Sequence, residues 1–147
     1  MKNLSFFHIP IVYLLLYTVL ILATGIWLFL LSQGLYDLGS ITATLSEISI
    51  APKAKSMHNF VEVAAPHMFA MGALFFVVAH FMLFSTKISQ KTSLIVSLLL
   101  FGFLLLNVFS YGAISFELIS SGWIKLLSIT LFVGMFLLLL GMVAFSL

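Results

Sequence analysis

Four apolar runs, about Ile9–Leu31, Pro66–Phe84, Leu94–Tyr111 and Ile124–Leu147, divide the chain, and the charged residue they contain is Lys125, at one end of the last. A helix crosses the roughly 30 Å of bilayer hydrocarbon with about 20 apolar residues. Each run is close to that length. Backbone in lipid must satisfy its own hydrogen bonds, and helices do so. The expected fold is therefore all-α: an integral membrane four-helix bundle, one domain over residues 1–147.

The rest of the sequence leaves little for anything else. Of 147 residues, 63% are hydrophobic and 7% charged, against about 45–50% and about 25% in soluble domains. Six Lys, no Arg and no Cys exclude a basic nucleic-acid surface and a disulfide scaffold. Without sulfur ligands, covalent c-type haem, thiolate zinc and iron–sulfur clusters are excluded too. Lys2 before the first run resembles the start of a signal peptide, but the length of the run and the lack of a small-residue cleavage site favour an uncleaved anchor.

Between the first two runs, Leu38, Ile41, Leu45 and Ile48 recur at helical spacing, which predicts a short interfacial helix ended by Pro52. Lys2, Lys87 and Lys91 fall on one side of the membrane and Lys53, Lys55 and Lys125 on the other. All four acids, Asp37, Glu47, Glu62 and Glu117, lie on the second side. That distribution leans towards a multi-pass bacterial inner-membrane protein with both termini in the cytoplasm.

Small residues mark close helix contacts in lipid. Ala65, Gly72 and Ala79 form one such stripe, and Thr130, Gly134 and Gly141 another. Both are expected to face protein or a flat ligand. Met68, Met71 and Met82 with Phe75 and Val78 fit a helix-contact seam. Asn107 is expected to hydrogen-bond a neighbouring helix, and Trp27, Tyr36, Tyr111 and Trp123 to anchor the interfaces.

Chemistry, if the chain has any, concentrates on His8, His58, His67 and His80. Neutral imidazole is the least costly ionisable group to place in lipid and a good ligand for haem iron. His80 is the deepest of the four. Antiparallel helices put His8 on its side of the membrane, with His58 and His67 on the other. Glu62 shares a direction with His80, eighteen residues on, and is the candidate for proton exchange with a quinone. The plainer alternative makes Glu62 a headgroup-level or capping residue and the histidines hydrogen-bonding or interfacial groups.

A histidine pair near each membrane face loosely resembles the membrane b-type cytochromes. That resemblance implies haem b, electron transfer with quinone, and His80, His8, His67 and His58 as iron ligands. Ligand pairs on one helix in that group are commonly about fourteen residues apart, which returns them to one face. Here His67 and His80 are thirteen apart, so an ideal helix turns them about 140° away from each other. The rival expectation is a non-catalytic accessory or assembly subunit, packed against other membrane subunits or a second copy, and a transporter or channel comes third. The lipid bilayer is the expected surrounding in every case, and nucleic acid is not an expected partner.

Overall fold

In the computed structural model the protein is described over residues 8–32, 41–50, 56–83, 85 and 87–146. It has five helices there: α1 (His8–Ser32), α2 (Ile41–Ile50), α3 (Met57–Met82), α4 (Gln90–Ser115) and α5 (Trp123–Ser146). The described residues contain no strand. All but α2 are long and apolar enough to cross a membrane, over His8–Leu28, Phe60–Met82, Gln90–Ser115 and Trp123–Ser146. The chain is an integral, multi-pass membrane protein with an all-α bundle and a short helix between its first and second spans. Lys2, Tyr36, Asp37, Leu38, Pro52, Lys53, Lys55 and Leu147 lie outside the described residues.

Charge contrast located the spans, but the polar ends of the helices run further than the apolar runs do. α4 starts at Gln90, where the Ser89 hydroxyl accepts from the Thr92 N–H at 3.1 Å, an N-cap that uses the first turn's spare donor. α3 starts at Met57, nine residues before Pro66, and Pro66 lies inside it. The expectation of a helix opening at Pro66 is corrected on this point. Proline is tolerated within membrane helices because neighbouring groups take over the hydrogen bond it removes.

The core lies between α3, α4 and α5. Met71, Phe75, Val78 and Met82 are its α3 edge, all buried and at the expected seam spacing, while Met68 of the expected seam is exposed and lies outside it. Phe75 is fully enclosed and meets Phe136 edge-on at 4.5 Å between centroids, Phe132 at 5.3 Å and Phe101 at 6.2 Å. Aromatic pairs of this kind contribute about 0.5–1.5 kcal/mol each beyond area burial. α1 joins through a narrow stripe of Ile11, Thr18 and Leu22, and its extended contacts are with α5.

Two sets of bonds tie the bundle's ends together. The Ser49 carbonyl at the end of α2 accepts from the Gly122 N–H at 3.1 Å and the Ser121 hydroxyl at 3.2 Å. α2 is thereby held at the end where α4 hands over to α5. At the opposite end, Lys87 Nζ donates to the Phe145 carbonyl at 2.8 Å and lies 5.2 Å from that residue's ring centroid. Ile48 and Ser49 are buried among the described side chains of α2, while Leu45 of the expected apolar stripe is exposed.

Candidate functional site

Each histidine has a definite place. His8 opens α1 and is half-buried. His58 lies in the first turn of α3, exposed, with Nε2 3.9 Å from Glu62 Oε2 one turn on. Because α3 starts at Met57, His58 and His67 share one helix, and nine residues turn them about 180° apart. The α3 helix has no π-helical segment, so nothing alters the unfavourable phase of His67 and His80 either. His80 is exposed near the end of α3, its ring stacked on Phe76 at 5.9 Å and 29°. Among the described residues, no three His, Cys, Asp or Glu side chains group to hold a metal ion.

Glu62, Phe69, Ala73, Phe76 and His80 do share one side of α3, and all five are exposed. That side looks away from the bundle. The small-residue stripes, expected to face protein or a flat ligand, are open at their glycines, while Ala79 of the first packs against the core. A Cβ placed on Gly72, Gly134 or Gly141 would meet nothing within 4 Å, whereas one on Gly112 would come within 3.3 Å of the Phe60 ring. Spacing shows where close approach is possible and is silent on which neighbour uses it.

Inside the bundle, a polar cluster joins α4 to α5. Lys125 Nζ donates to Asn107 Oδ1 at 2.7 Å and to the Asn107 carbonyl at 3.1 Å, and lies 5.0 Å from the Tyr111 ring centroid. Ser128 Oγ donates to the Lys125 carbonyl at 2.9 Å, Ser110 Oγ to the Asn107 carbonyl at 2.9 Å, and the two hydroxyls are 3.3 Å apart. The expected hydrogen bond of Asn107 is present, the inward placement of Lys125 is not foreseen by the sequence, and Tyr111 faces Lys125. A signal existed: Asn107 and Ser128, like Ser110 and Lys125, stand equally far from the middle of the connector, so an antiparallel hairpin brings them together.

On the outer side of α3 and α4 lies an apolar groove of about 910 Å³. Ala64, Ala65 and Ala113 are among its small lining residues, with Phe69 and Phe109 among its walls. It reaches Phe116 and Leu118 at the end of α4. That end closes with the Leu118 N–H bonded to the Ala113 carbonyl at 2.9 Å and the Glu117 N–H to the Ile114 carbonyl at 3.0 Å. This is the Schellman pattern, whose left-handed position is usually glycine. Glu117 occupies it with φ 58°, at a cost of roughly 1–2 kcal/mol.

A family model described as a transmembrane helical domain, Aq_1264_TM, matches residues 45–147, from within α2 to the end of the chain. No curated protein matches the chain, and no solved structure does.

Proposed function

The chain belongs to the Aq_1264_TM family of transmembrane helical domains, and from that premise we propose that it is a non-catalytic accessory subunit that docks on a larger membrane assembly through the outward side of α3. The supporting observation is that side itself. It carries the exposed Ala65 and Ala73 beside the exposed rings of Phe69 and Phe76, with the half-buried Gly72 at its edge, where an added Cβ would meet nothing within 4 Å. Lipid tails are as apolar as these side chains, so small residues gain nothing from lipid, but they let a second backbone come close. The interior, meanwhile, is taken up by the Phe75 cluster.

The test is crosslinking in native membranes, from a photoreactive residue at Phe76. A protein adduct that Gly72→Leu removes, with helix content and unfolding unchanged, is the expected result. The absence of any protein adduct would overturn the proposal. An adduct to a second copy would make the assembly a homo-oligomer.

A second reading keeps haem b, because His80 lies on the same outward side. His8 belongs to α1, whose extended contacts are with α5. The fit is therefore better between subunits than within one, with His80 holding the iron and the partner giving the second ligand. Such a group supplies one-electron chemistry, and Glu62 at the other end of that side would exchange protons with quinone. A reduced-minus-oxidised spectrum of the complex with its native partners should show a b-type signal that His80→Ala abolishes. No Soret absorption from haem-replete cells would reject the idea.

A further inference from the structure

We propose that the chain pairs with a second copy of itself through the outward side of α1, with the Tyr17 hydroxyls of the two copies hydrogen-bonded near the middle of the bilayer. This goes beyond the accessory-subunit reading and does not depend on it, because α1 offers a different surface from α3.

Tyr17 is out of place for a residue that faces lipid. It is 63% exposed and stands nine residues into the span that opens at His8. That is about 13.5 Å along the helix axis, close to the midpoint of roughly 30 Å of hydrocarbon. Tyrosine is favoured at the membrane–water interfaces, where its hydroxyl meets headgroups and water. Helix side chains lean towards the N-terminus, so Tyr13, one turn nearer the start of α1, reaches that level and Tyr17 does not.

The Tyr17 hydroxyl has no hydrogen-bond partner among the described residues. The threonines of α1 return theirs to their own helix, Thr18 to the Leu14 carbonyl at 2.7 Å and Thr24 to the Leu20 carbonyl at 2.9 Å. A phenol is too long to do the same. Left in hydrocarbon it is costly, so Tyr17 calls for a polar group from outside the chain.

The surrounding residues fit a helix as the source. Tyr13, Tyr17, Leu20, Thr24 and Trp27 follow at intervals of four, three, four and three, all exposed, on the side opposite the buried Ile11, Thr18 and Leu22. That alternation is the seam of two helices wound left-handed, a common crossing in membranes. Copies of one chain insert in the same direction, so their α1 helices meet parallel and each seam residue faces its own counterpart at the same depth. A hydroxyl both donates and accepts. One Tyr17 can therefore donate to the other, and the pair needs no further polar residue in the lipid.

The experiment uses the full chain in its native membrane, with a photoreactive residue at Leu20, on the same side of α1 as Tyr17. The expected adduct has twice the mass of the chain and joins α1 to α1. In purified chain reconstituted in phosphatidylcholine vesicles, Tyr17→Phe keeps the ring and removes the oxygen. It should weaken self-association about threefold on dilution with lipid, the size of an average interhelical hydrogen bond in a membrane. A lipid adduct at Leu20, an adduct to a different protein, or a doubled mass joined through another helix overturns the proposal. So does self-association indifferent to Tyr17→Phe.

Discussion

Lys125 Nζ meets Asn107 Oδ1 at 2.7 Å across the α4–α5 contact, binding the last two spans through a charged donor. The interaction is asymmetric. Asn107→Leu removes the shorter of the two acceptors of the Lys125 ammonium, leaving it the backbone carbonyl alone, and should cost roughly 1–3 kcal/mol, whereas removing both partners together should cost much less than the sum of the single changes. A double-mutant cycle with Lys125→Met, read by reversible unfolding in micelles, checks this, and additive effects would refute it.

Phe75 and Phe76 are neighbours in sequence with opposite surroundings, 0% and 65% exposed. Phe75→Ala should empty the aromatic cluster and destabilise the bundle by about 3–5 kcal/mol. Phe76→Ala in the isolated protein should change stability by less than about 0.5 kcal/mol. Thermal unfolding of the two variants in detergent makes the comparison.

The glycines offer a matched pair. Gly112→Leu should push against Phe60 and cost about 1–3 kcal/mol, since even a Cβ there would stand 3.3 Å from the ring. Gly134→Leu, with open space around it, should leave the isolated bundle as stable as before. Equal losses would show that the outer side of α5 is covered within the same chain.

Glu117→Gly should stabilise the bundle by about 1 kcal/mol, because glycine enters the left-handed region without the side-chain penalty. Urea-independent methods such as steric trapping in micelles would show it. A destabilised variant would mean that the Glu117 side chain supports the turn directly.

The spans were legible because lipid forces a sharp contrast between apolar and charged residues, and the Met71–Phe75–Val78–Met82 seam because its period matches one side of a helix. The start of α3 was not, since Pro66 resembles a beginning and nothing local says that the preceding polar turns continue the helix. The stripes at Gly72 and Gly134 show the complementary difficulty: a period predicts that a surface can be approached, while the choice of neighbour depends on how all helices share space. Lys125 at the edge of its run resembled a residue reaching for headgroups. Only its register against Asn107 across the hairpin shows it turned inward. The groove has no local signature at all, because its lining comes from two helices some 45 residues apart in sequence.

The docking of α1 onto α5 sets the order in which the molecule can be completed during synthesis. α1 leaves the ribosome about 90 residues before α5, counted from Ser32 to Trp123. At about 5–20 residues per second the wait is roughly ten seconds. Through that interval α1 sits in the bilayer without its native neighbour. The insertion machinery, or a transient escort within the membrane, has that window in which to hold it.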